Sequence, residues 1–219
     1  MLETHEIETG PRPHTTLIVL HGLGADGFDF VPICGELRLQ ALGDIRYVFP
    51  HAPQRPVTIN NGYEMRAWYD ILGLDLVRRE DETGLRESQQ QIAALIDRER
   101  ERGVPAERIV LVGFSQGCAM TLMTALRYPH RLGGAVGLSG YLPLAATTMA
   151  ERSAANAGLP IFLAHGTQDP VVAPARGTAS RDALRALGHE VEWHDYPMPH
   201  SVCAEEIADM NAWLLKQLA

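Results

Sequence analysis

Long apolar runs are missing from this sequence. No stretch approaches the roughly 18 to 20 consecutive apolar residues that a membrane-spanning helix needs. The opening stretch, MLETHEIETGPRPH, is polar and acidic, with neither a basic start nor an apolar centre, so no secretory leader is expected. Cysteine is scarce: Cys34, Cys118 and Cys203 form no CxxC pair, which argues against a disulfide framework or a zinc site. No basic cluster occurs and the formal net charge is −8, so a nucleic-acid partner is not expected. Neither GxGxxG nor GK[ST] is present, which leaves no phosphate cradle of those kinds. Internal repeats and low-complexity linkers are also lacking. A cytoplasmic protein is expected, with residues 1–219 forming a single domain, long enough to bury about 70% of its surface.

What is present is an alternation of two patterns. Continuous apolar, β-branched runs occur in TTLIVLHG, IRYVFPHA, RIVLVGF, GGAVGLSG, LPIFLAHG and VEWHDYP. Several show no polar alternation, as expected of strands covered on both faces in a parallel sheet. Helical patterns lie between them. ESQQQIAALIDRERERG places Ile92, Leu95, Ile96 and Glu99 on one stripe; QGCAMTLMTALRYP is apolar nearly all round; TASRDALRALGH and the C-terminal segment complete the set. The order predicts an α/β fold, a doubly wound, mostly parallel sheet with helices on both faces. Residues Gln54 to Gly84 show no clear period. They hold Trp68, Tyr69, Ile71 and Leu72, apolar side chains that need something to bury against, either the core or a bound ligand.

The stretch RIVLVGFSQGCAM turns a strand directly into a helix with Ser115 at the corner. Such a corner forces its central residue into a strained conformation, and glycines two residues either side remove side chains that would collide. The strain lifts the hydroxyl clear of the sheet, while the Gln116 N–H at the helix start is aimed at a developing oxyanion. A serine hydroxyl needs a base. On this architecture an acid and then a histidine follow in loops after later strands. Asp169 follows LPIFLAHG, and His200 follows VEWHDYP. His194 lies inside a strand, and His189, beside Gly188 at a helix end, is expected to be solvated. The glycine-rich HGLGADGFDF after the first core strand offers a second oxyanion donor, the Leu23 N–H.

With HGLGADGFDF, APQRPVTINNGYEMRAWYDI, GFSQG, HGTQDPVV and YPMPHSV in hand, the chain resembles the carboxylesterase and acyl-protein thioesterase (phospholipase/carboxylesterase) family of serine hydrolases. The RPVTINNGYEMRAWYD stretch looks closest to bacterial carboxylesterases. The resemblance implies an α/β-hydrolase fold without a large lid domain. It implies hydrolysis of carboxylic esters or thioesters, small-molecule or acylated-protein, with no metal and no organic cofactor. It implies Ser115, Asp169 and His200 as the triad and the Leu23 and Gln116 N–H groups as the oxyanion hole. It also implies that the loop around Trp68 borders the acyl pocket, with Leu72 a candidate for its lining. Two positions depart from the family pattern: Cys118 stands where GFSQGG is usual, and Pro199 replaces a more usual glycine before His200. A buried Cys118 is expected to be inert packing. Two rivals remain at this stage. A dienelactone-hydrolase-like enzyme generally has cysteine at the corner that Ser115 occupies, and a non-catalytic binding module need not keep all three triad residues. Monomer and homodimer are both open.

Overall fold

The computed structural model describes residues 1–73 and 80–219. Among the described residues, nine strands and six α-helices follow in chain order: β1 (Thr4–Glu8), β2 (Thr15–Leu20), α1 (Val31–Glu36), β3 (Ile45–Pro50), β4 (Gln54–Val57), β5 (Tyr63–Arg66), α2 (Glu82–Glu101), β6 (Ile109–Phe114), α3 (Gln116–Arg127), β7 (Gly134–Leu138), α4 (Ala145–Glu151), β8 (Ile161–Gly166), α5 (Pro174–Ala186), β9 (Val191–Tyr196) and α6 (Ala204–Leu218). Seven strands form one sheet in the order β1-β3-β2-β6-β7-β8-β9. Every neighbouring pair is parallel except β1 on β3. The six strands read from apolar runs are the six parallel ones.

Side chains of one strand alternate between two cores. Ile18 and Leu20 of β2 pack with Leu85, Ile92, Leu95 and Ile96 of α2, with α3, and with Leu184 of α5. Leu17 and Val19 face the other way, onto Cys34 of α1 and Met210, Trp213, Leu214 and Leu218 of α6. The sheet is thus covered on both sides, which is why its central strands show no polar alternation. Helix α3 is buried from Gln116 to Leu126, matching its apolar circumference.

The structure differs from the sequence expectation in several elements: the short helices α1 and α4 were not expected, and α5 begins at Pro174 rather than Thr178. The acidic THEIE, given no structure above, is β1, an edge strand held by ion pairs of Glu6 with Arg98 and Arg102 and of Glu8 with Arg46. The aperiodic stretch from Gln54 contains the β4–β5 hairpin, whose strands of four residues are too short to show a period. Its turn carries positive φ at Asn61 and Gly62, so the Asn-Gly pair was the available signal. Residues 74–79 of that stretch lie outside the described residues. Helix α2 begins at Glu82 rather than Glu87, because Asp81 caps it by accepting the Gly84 N–H at 3.0 Å.

Candidate active site

Strand β6 delivers Ser115 to the carboxyl edge of the sheet. Its backbone has φ 56° and ψ −116°, a conformation costing a non-glycine residue about 1–3 kcal/mol. The Ser115 N–H donates to the Leu138 carbonyl at 2.9 Å, which pins the corner to β7. The two flanking glycines are required by close approach. A Cβ at Gly113 would collide with the Gly117 carbonyl, and one at Gly117 with the Leu20 carbonyl at the end of β2. Gln116 opens α3, where the first N–H groups have no acceptor within the helix.

Asp169 lies in the loop after β8 and is 6% exposed. Its Oδ1 accepts the N–H groups of Val171 at 2.8 Å and Val172 at 2.9 Å. Its Oδ2 accepts Nδ1–H of His200 at 2.7 Å. That bond places the His200 proton on Nδ1 and leaves Nε2 as a base. His200, in the loop after β9, lays its ring 4.7 Å from that of Phe114, the residue before Ser115. A second imidazole, His165, stands 3.4 Å from Asp169 Oδ2 while its Nε2–H donates to the Val172 carbonyl at 2.9 Å. His165 closes the LPIFLAHG strand; nothing in the sequence separated it from a core residue. His189 is buried rather than solvated, with Nδ1 donating to the Leu159 carbonyl at 3.2 Å, and burial lowers its pKa.

Beside the corner lies a cavity of about 100 Å³. Ser115, Gln116 and Leu23 stand together in its wall. Ile59, Ile71, Val171 and Val172 make it apolar; Tyr69, Tyr141 and Arg176 complete it. Trp68 and Leu72 are not in this wall. Trp68 is fully buried, with its indole N–H donating to the His21 carbonyl at 2.9 Å and its backbone N–H to Gln116 Oε1 at 3.0 Å. Leu72 is 43% exposed and borders an adjoining groove with Asp70 and Asp81, which shares Tyr69, Ile71 and Tyr141 with the cavity. The apolar residues of that stretch therefore divide: Tyr69 and Ile71 meet the cavity, Trp68 meets the core. Cys118 is buried against Gly137 and Gly140, where an added Cβ would strike it, and burial pushes its thiol up to about 12. It is no nucleophile at neutral pH.

A serine on a strand-to-helix elbow, with an aspartate–histidine pair on later strand ends of a mostly parallel sheet, defines the serine hydrolases of the α/β-hydrolase class. The chain belongs to the phospholipase/carboxylesterase family, whose sequence profile matches residues 2–218. It is a serine hydrolase of carboxylic esters or thioesters. An acyl-protein thioesterase 1 of Yarrowia lipolytica is 43% identical over 207 residues, covering 92% of this chain and 91% of that protein. One of Gibberella zeae is 41% identical over 215 residues, covering 94% and 92%. The crystal structure of Zea mays acyl-protein thioesterase 2 superposes with TM-score 0.88 at 31% identity, covering all of both chains. Among the described residues no helix is long and apolar enough to cross a membrane.

Proposed function

We propose that Ser115, Asp169 and His200 are the catalytic triad of this hydrolase and that the Leu23 and Gln116 N–H groups form its oxyanion hole. The observation that carries this reading is the 2.7 Å His200–Asp169 bond, made by loops that meet beside the strained Ser115 corner. His200 Nε2 takes the proton of Ser115 Oγ as it attacks the acyl carbon. Asp169 holds the imidazole in the required tautomer and stabilises its cation. The developing oxyanion turns toward the two amides in the cavity wall. His200 returns the proton to the leaving alcohol or thiol, and water activated by the same nitrogen releases the acid.

The acyl group occupies the cavity walled by Ile59, Tyr69, Ile71 and Val172. The cavity is small, about 100 Å³, so short acyl groups fit inside and longer ones run out past the exposed Val171. The names of the fungal relatives support acylated proteins as the substrate class, with small esters turned over by the same residues. We further infer a cytoplasmic enzyme in which residues 1–219 work as one catalytic unit, as monomer or homodimer.

The test is Ser115→Ala. The variant folds as wild type and loses turnover by several orders of magnitude, and a fluorophosphonate labels wild type but not the variant. Retention of a tenth of wild-type kcat/KM on a 4-nitrophenyl ester would overturn the assignment.

A further inference from the structure

We propose that Arg176 makes the cavity beside Ser115 a carboxylate-recognition subsite, so that preferred substrates are esters or thioesters carrying a carboxylate near the scissile bond. The proposal rests on the reading of Ser115 as the nucleophile. Arg176 shares the cavity wall with Ser115, Leu23 and Gln116. Its guanidinium carbon lies 3.4 Å from the centroid of the Tyr141 ring, stacked on the ring face. Stacking occupies the π-face of the guanidinium and leaves its in-plane N–H fork available. Tyr141 is itself held by the Tyr69 hydroxyl at 2.8 Å, so the platform under the cation is fixed.

No carboxylate among the described residues pairs with this fork. Arg46, Arg86, Arg102 and Arg127, by contrast, are each tied to glutamates. Asp169, the acid of the neighbouring loop, is committed to Val171, Val172 and His200. Helix stability does not account for the position either. Arg176 sits in the first turn of α5, at the positive end of the helix dipole, where a cation is unfavourable, and that turn holds no acidic residue. The remaining wall is largely apolar, which strengthens a charge-assisted hydrogen bond made inside it. A planar, two-oxygen anion matches the fork, and the small volume puts that anion close to the scissile bond.

The experiment compares isosteric pairs. In the acyl arm, mono-4-nitrophenyl adipate is set against 4-nitrophenyl hexanoate. In the leaving-group arm, the butanoate of 4-hydroxybenzoate is set against the butanoate of its methyl ester. The readout is the charged-to-neutral ratio of kcat/KM. In one arm or the other Arg176→Met lowers that ratio about tenfold or more, and Arg176→Lys restores part of it. The wild-type ratio in that arm also falls as sodium chloride is added, a measurement that needs no variant. A ratio within threefold of wild type in both arms of Arg176→Met, with a salt-independent wild-type ratio, overturns the subsite while leaving the triad standing. Loss of the triad reading would register separately, as wild-type protein that resists fluorophosphonate.

Discussion

The His21 ring is buried, and burial pulls its pKa down to about 4, so it is neutral at physiological pH. Its Nε2 accepts the Ala52 N–H at 3.0 Å and its Nδ1–H donates to the Gly22 carbonyl at 2.7 Å. The Gly22–Leu23 peptide is planar and trans, so holding its carbonyl aims the Leu23 N–H the opposite way. Trp68 secures the same loop through the His21 carbonyl. Trp68→Phe leaves that carbonyl unpaired, at about 1–3 kcal/mol. Melting temperature should drop by roughly 3–10 °C, and kcat/KM for C2 to C12 esters should fall evenly, without a change in ranking. Leu72→Ala, at an exposed position, should leave melting nearly unchanged. A re-ordered chain-length profile in either variant would return these residues to the acyl pocket.

At the scale of elements, the edge of the sheet depends on one buried carboxylate. Glu99 of α2 is fully buried, and its oxygens meet Arg46 at 2.7 Å, Arg102 at 3.0 Å, Arg98 at 3.1 Å and the Thr16 hydroxyl at 3.1 Å. The same arginines reach Glu6 and Glu8, so the network clips β1 to the rest of the fold. Deleting the central acid leaves the Arg46 side chain, 8% exposed, with Glu8 as its one remaining carboxylate among the described residues. Glu99→Ala should therefore cost about 3–5 kcal/mol in denaturant unfolding. Thr16 and Arg46 sit at the starting ends of β2 and β3, away from the strand ends that carry Ser115, so folded protein should keep its kcat.

For the whole molecule, two buried groups with large shifts, His21 and Glu206, tilt stability against pH in opposite directions. His21 has a folded pKa below its usual value, so the unfolded chain binds more protons between about pH 6.5 and 4, and stability is lost as pH falls through that window. Glu206 acts at the other end. Its side chain is fully buried at the start of α6, neither carboxyl oxygen has a partner in hydrogen-bond geometry, and burial pushes its pKa up to about 8 against a weaker pull from the Cys203 backbone. The folded chain then binds more protons than the unfolded one between about pH 4.5 and 8, so stability is lost as pH rises. Glu206→Gln should melt about 3–8 °C above wild type at pH 8, with the gap closing toward pH 5. Melting curves across that range would contradict the assignment if the gap were constant.

Local chemistry in the chain was enough for the six parallel strands and for the positions of the candidate site residues at their ends. Six runs became the six parallel strands; the central ones are apolar because both their faces are covered, while β9 at the sheet edge keeps Glu192, His194 and Asp195. The Ser115 corner was legible because its glycines answer to clashes within a few residues and with the strand alongside. Asp169 and His200 were legible because strand ends on this architecture face one edge. What the chain did not reveal depends on which distant residues meet. The acidic β1 is a strand because it pairs antiparallel with β3, and arginines of α2 and β3 meet its glutamates. Trp68 could equally have faced substrate or core until the fold set its indole on the His21 carbonyl. Arg176 carried no sequence signal at all; only the docking of α5 against Tyr141 brings its guanidinium into the cavity beside the serine. Spacing and periodicity record a residue's own element, while burial and partnership belong to the packing between elements.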